Sequence, residues 1–241
     1  IQDNWVLSNF ITDILPVTSA IYKIQDMQNN NLWLYFLSCI FFYKYGNTSG
    51  GNTAYIDDAD GQQVLYGIKE PCYATVTRGL ANEIDPDCTA SASVLTNRTT
   101  VSTGDESSVP LSGWYINLDP SETVAGYKAE RVITDPLAAF SGVVFFTSFS
   151  PSGEICALGG NTYLWAVKYN TGTAGTASAL QGRAILQIST GEIKDLKMPE
   201  IFTANSGRKS ASIQGLPPKG QGLSIILRPK PIKKIIHIQE K

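Results

Sequence analysis

Two five-residue segments constrain this chain more than any other feature. Leu65-Tyr66-Gly67-Ile68-Lys69 matches Leu164-Trp165-Ala166-Val167-Lys168 position by position. Both are rich in β-branched or aromatic residues and neither keeps a helical period, so each reads as a strand. Their surroundings repeat as well. An aromatic-rich run precedes each, Leu32–Phe36 in one case and Val143–Phe146 in the other, and a proline-bearing strand precedes each run, around Pro16 and Pro136. Trp114–Leu118 supplies a fourth strand to the first unit and Arg183–Ser189 to the second. A repeated unit of four antiparallel strands is the anatomy of a propeller blade.

The expected fold class is therefore all-β: a partial β-propeller of about two four-stranded blades. Residues 1–190 form the blades, 70–112 are an insertion ahead of the first blade's last strand, and 191–241 form a C-terminal closing tail that packs on the propeller. Two blades do not close a ring, which typically needs four to eight. Turn chemistry separates the strands, as in Asp119-Pro120-Ser121, Ser150-Pro151-Ser152-Gly153 and Gly159-Gly160-Asn161. Residues 46–54 (GNTSGGNTA) read as a flexible loop, and Leu223–Leu227 and Ile235–Ile238 as closing strands.

Composition bears on class and location. The apolar fraction of 43% supplies a core and argues against disorder. The net charge of −2 hides an asymmetry: residues 1–190 balance to −8 and residues 191–241 to +6. A basic tail can contact nucleic acid or membrane. Here the basic residues are spread among prolines and apolar residues, and packing against an acidic body is the reading adopted, with no nucleic-acid partner. No stretch reaches the apolar length of a transmembrane helix. The chain opens IQDNWVLSNF, without Met and in a strand-like pattern, and reads as the interior of a longer protein.

Catalytic signatures are sparse. The chain has one histidine, His237, in KKIIHIQEK, with no nucleophile motif to pair it. Strand aromatics such as Trp33, Tyr35, Phe145, Phe146, Tyr163 and Trp165 are read as packing between blades rather than as a stacking platform for sugars or bases. The best metal candidate is the acidic turn holding Asp57, Asp58 and Asp60 before Gly61, since calcium prefers several oxygens on a tight loop. It departs from the EF-hand pattern: Ile56 would fall at the first ligand position and Gly67 at the closing glutamate. A calcium ion there is an alternative to a solvated acidic turn, and no cofactor is required. Cys72 and Cys88 bracket the insertion, and a disulfide between them would stabilise it by about 3 kcal/mol in the loop-entropy model and imply an oxidising compartment. Cys39 lies in an apolar run and reads as a buried thiol, while Cys156 lies in a loop. Asn47-Thr48-Ser49 and Asn97-Arg98-Thr99 match the N-glycosylation pattern.

Several linked motifs carry a family resemblance: GWYINLD, ERVITDP followed by GVVFFTSFSPS, Cys156 and Gly159-Gly160 before YLWAVKYNTG, QVLYGIKEPCY, and the tail from Gly215. Together they resemble the C-terminal region of the PilY/PilC family of type IV pilus biogenesis factors and tip adhesins. The resemblance implies a larger, seven-bladed modified propeller of which Trp33, Trp114, Pro136, Phe146 and Trp165 mark the blade motifs. It also implies an exported protein at the cell surface, pilus tip or outer membrane, and a non-enzymatic role in pilus extension, surface attachment and twitching. The implied partners are type IV pilins and minor pilins, with a host or abiotic surface as the target of adhesion. The family's calcium-loop pattern has no residue-by-residue match here, and its Gly-Thr-Gly-Arg turn is replaced by Leu37-Ser38-Cys39-Ile40. The alternatives are a propeller of the pyrroloquinoline-quinone dehydrogenase type and a lectin-like, ligand-binding propeller. The quinone class often carries two adjacent cysteines and a clear acidic calcium site, and this chain has neither.

Overall fold

The computed structural model describes residues 10–38, 43–47, 53–57, 61–73, 83–85, 87–101, 108–120, 126–139, 141–154, 159–203, 207–210 and 213–227, the backbone alone at 43–47 and 53–57. In chain order the elements are β1 (Tyr22–Asp26), β2 (Asn31–Ser38), β3 (Tyr43–Asn47), β4 (Thr53–Asp57), β5 (Val64–Lys69), β6 (Thr96–Asn97), β7 (Gly113–Asn117), β8 (Arg131–Val132), β9 (Leu137–Ala139), β10 (Val143–Pro151), β11 (Gly160–Lys168), β12 (Gly182–Ile188), β13 (Ile193–Lys197), the short helix α1 (Met198–Ile201), β14 (Ile213–Gly215) and β15 (Pro218–Leu227). The fold is all-β. Its larger sheets run β1-β2-β5-β7-β6, then β14-β11-β10 with β8 and β9 both on β10, then β13-β12-β15; β3 and β4 form a separate hairpin.

The register confirms the repeat in detail. Phe36 pairs with Tyr66 and Tyr35 with Gly67. Phe146 pairs with Trp165 and Phe145 with Ala166. The matching first strands are each broken in two. In the first sheet Val17 bridges Ser38 and the strand resumes at Tyr22 opposite Tyr35. In the second, Val132 pairs with Ser148 and the strand resumes at Leu137 opposite Phe145. At both breaks a hydroxyl takes the place of a backbone partner. Ser19 Oγ accepts the Leu37 N–H at 3.0 Å, and Thr134 Oγ1 accepts the Thr147 N–H at 3.4 Å. The prolines are not equivalent: Pro16 precedes the first piece of its strand, and Pro136 the second piece of its own.

The sheets stack in one sense. Trp33, Tyr35, Leu37, Leu65, Trp114 and Ile116 of the first sheet pack on Val144, Phe146, Trp165 and Val167 of the second. The other face of the second sheet, with Val143, Phe145, Leu164 and Ala166, packs on Ala184, Leu186 and Leu223 of the third and on Met198 and Phe202 beside it. Equivalent residues therefore look the same way in both repeats. The Phe36–Tyr66 ring pair, with centroids 5.4 Å apart, matches the Phe146–Trp165 pair, also at 5.4 Å.

Three expectations need correction. Arg183–Ser189 is not the fourth strand of the second blade. It forms β12, which folds back on β13 through a turn in which Gly191 adopts φ 90° and pairs with β15 on its other edge, so neither edge is left for β11. The edge of β11 is instead covered by Arg208–Ser210 and β14, which lie in the chain between β13 and β15 of the third sheet. Residues 46–54 are not simply a loop, because Gly46 and Asn47 pair with Ala54 and Thr53 at the end of the β3–β4 hairpin. Leu223–Leu227 is the end of β15 and pairs with β12, so it edges the third sheet rather than closing a ring. Ile235–Ile238 and His237 lie outside the described residues. The boundary placed at residue 190 falls in the β12–β13 turn. The insertion at 70–112 contributes β6 and covers one face of the first sheet with Ala92 and Leu95.

Candidate functional site

Chemistry-bearing residues gather between the first two sheets. Trp33, Trp114 and Phe146 are fully buried there and Trp165 nearly so. Their rings interlock: Trp33 meets Tyr169 edge-on at 6.2 Å, and Phe146 stacks on Trp165. Pro136 is buried in the break between β8 and β9. Trp33, Tyr35, Phe145, Phe146 and Trp165 are all buried, and Tyr163 is half-buried. A stacking platform would need these faces open to solvent.

One carbonyl joins the two sheets. Tyr169, just past β11, accepts at its backbone oxygen from Trp114 Nε1 at 3.1 Å and from the Tyr35 hydroxyl at 2.9 Å. Its own hydroxyl donates to Asp26 Oδ2 at 2.8 Å. Burial and the neighbouring Asp26 carboxylate push the Tyr169 hydroxyl up to about 12. Burial works against ionisation of Asp26 too, but hydrogen bonds from Asn29, Tyr169 and Gln28 prevail and hold its carboxyl below the ordinary range.

A polar centre lies at the far end of the same layer. Glu130 is completely buried. Its carboxylate accepts from the Ser148 hydroxyl, from Trp165 Nε1 at 3.1 Å and from the Asp119 N–H at 3.1 Å. Lys209 Nζ sits 2.7 Å from Glu130 Oε2 and 2.8 Å from Asp119 Oδ2, over the Tyr163 ring at 4.0 Å. Burial alone would lower the Lys209 ammonium, but the two carboxylates outweigh it and raise it. The centre thus fastens the returning segment to the link between the first two sheets. Nothing in the local sequence of Lys209 announces this. The partners lie 79 and 90 residues away. Arg208 beside it donates to the carbonyls of Gly172 and Thr99.

Cys72 and Cys88 are disulfide-bonded, with Cα atoms 5.6 Å apart. The bond is reinforced locally, since the Cys72 N–H donates to Glu70 Oε1 and the Asp85 N–H to the Cys72 carbonyl. Asp57 is the last residue of β4, opposite Tyr43; Asp58, Asp60, Cys39 and Cys156 lie outside the described residues. Among the described residues no group of three or more His, Cys, Asp or Glu is placed to hold a metal ion, and no helix is long and apolar enough to cross a membrane. At the Leu37-Ser38 departure β2 simply continues: Leu37 is buried, and Ser38 Oγ accepts from the Val64 N–H and donates to the Val64 carbonyl. Asn97 of the second glycosylation pattern is exposed, and its Oδ1 accepts the Thr99 N–H.

No family model matches the chain, and no curated protein matches it. Among solved structures it is similar to the crystal structure of the Pseudomonas aeruginosa PilY1 C-terminal domain, at 13% identity and a TM-score of 0.41, over 89% of this chain and 45% of that one. The chain spans less than half the length of that domain.

Proposed function

We propose that this chain is a propeller portion of a non-enzymatic type IV pilus assembly and tip-adhesin protein, one that supports pilus extension, surface attachment and twitching. The observation that carries the reading is the run of linked motifs from QVLYGIKEPCY to YLWAVKYNTG, set on two sheets of like register stacked in one sense. The conspicuous aromatic and charged groups between those sheets are spent on holding them together, which fits a scaffold that acts through contact. The Cys72–Cys88 disulfide fits an exported protein. In this reading the partners are pilins and minor pilins, and the place of action is the cell surface or the pilus tip.

Deletion of the parent gene tests it. Loss of surface pili and of twitching, restored by the gene in trans, is the expected outcome. Normal piliation and twitching in the deletion strain would contradict it.

A further inference from the structure

On the outward face of the first sheet a cleft of about 540 Å³ lies between the segment at 11–14 and the segment at 91–95. Its volume is in the range of small-ligand sites. The two segments are joined by the Ala92 N–H donating to the Phe10 carbonyl at 2.9 Å. Ile11, Ile14, Val64, Ala92 and Leu95 supply its apolar lining. Half-buried Tyr115 of β7 also lines it, opposite Tyr66 of β5, which is buried against Phe36. The rim carries the hydroxyls of Thr12, Ser91 and Ser93 and the carboxylate of Asp13. The Thr12 hydroxyl donates to Asp13 Oδ2 at 3.2 Å.

We propose that this cleft binds a neutral or amino-substituted pyranose of a glycan. A pyranose offers a rim of hydroxyls and a C–H face. The rim matches a carboxylate that only accepts and hydroxyls that both donate and accept, and the C–H face matches the half-buried Tyr115 ring and the apolar side chains beside it. The charge selects further. Asp13 is the one carboxylate among the described lining residues and no lysine or arginine is among them, so an anionic sugar is disfavoured. The inference rests on the surface role proposed above and adds a ligand class to it.

The test uses the whole chain with its disulfide intact. Saturation-transfer NMR and calorimetry are run with methyl mannoside, N-acetylglucosamine and glucosamine as probes, and with sialic acid as the anionic control. At least one neutral or amino sugar binds in the millimolar range, and sialic acid does not. Asp13 adopts φ 59°, a conformation that asparagine tolerates, so Asp13→Asn keeps the backbone and weakens binding about tenfold. Tyr115→Ala weakens it similarly, with an unchanged circular dichroism spectrum as the control for folding. Absence of binding by every neutral and amino sugar, or binding that neither variant weakens, overturns the inference. A deletion strain that loses its pili while the purified chain binds no sugar would remove this site and leave the pilus reading standing.

Discussion

The first and second sheets begin alike and finish differently. Three strands share their register, their broken first strand and the direction their side chains face. The fourth strand is supplied in two ways. In the first sheet β7 arrives after an insertion held by a disulfide. In the second the edge is covered by a segment from between β13 and β15 of the third sheet, held by an ion centre. An exposed strand edge is a liability in any sheet. These two solutions show that the blade pattern specifies where an edge must be covered, while separate devices decide what covers it.

The sharpest way to break this comparison is to remove each device. Lys209→Met leaves Glu130, which is 0% exposed, without its cation. Losing one member of a buried pair costs about 3–5 kcal/mol, read as a fall in the urea midpoint. Adding Glu130→Gln recovers much of the loss, and a single-variant loss under 1 kcal/mol would make the centre ornamental. Replacing Cys72 and Cys88 together by alanine removes about 3 kcal/mol in the loop-entropy model. Its mark is a lower melting temperature than wild type that dithiothreitol no longer changes. If the two devices are independent, the two losses add within about 0.5 kcal/mol.

A smaller effect sharpens the equivalence of the repeats. Gly67 and Ala166 occupy matching positions, but Trp114 stands opposite Gly67. A Cβ at residue 67 would lie 2.3 Å from the Trp114 ring. In the second sheet the Ala166 N–H instead meets the carbonyl of Arg208. Gly67→Ala therefore costs about 1–3 kcal/mol from overpacking, while Ala166→Gly costs about 1–2 kcal/mol from added chain entropy and the loss of a buried methyl. No measurable cost of Gly67→Ala in thermal melts would deny that the tryptophan sets the difference.

The first three strands of each repeat were legible because apolar runs and turn residues are local signals. Leu65–Lys69 and Leu164–Lys168 match position by position, and aromatic runs precede both. The fourth strand of the second sheet was not legible. Arg208-Lys209-Ser210 is short and polar, and what seats it is a buried carboxylate far away in sequence. The run at 183–189 looked more strand-like and is a strand, yet Gly191 sends it into a local hairpin. β13, IKDLK, was hidden by its charges, and the hairpin strands at 43–47 and 53–57 by the glycine and asparagine between them. The ion centre and the cleft at Asp13 were unreadable for the same reason: each joins segments that only the fold brings together.

Interstrand nuclear Overhauser effects across the β11 edge test the central claim most directly. The account predicts strong backbone contacts from Leu164, Trp165 and Ala166 to Arg208, Lys209 and Ser210. Contacts from the same residues to Arg183–Ile188 would contradict it, and would restore the simpler blade in which the fourth strand follows the third in sequence.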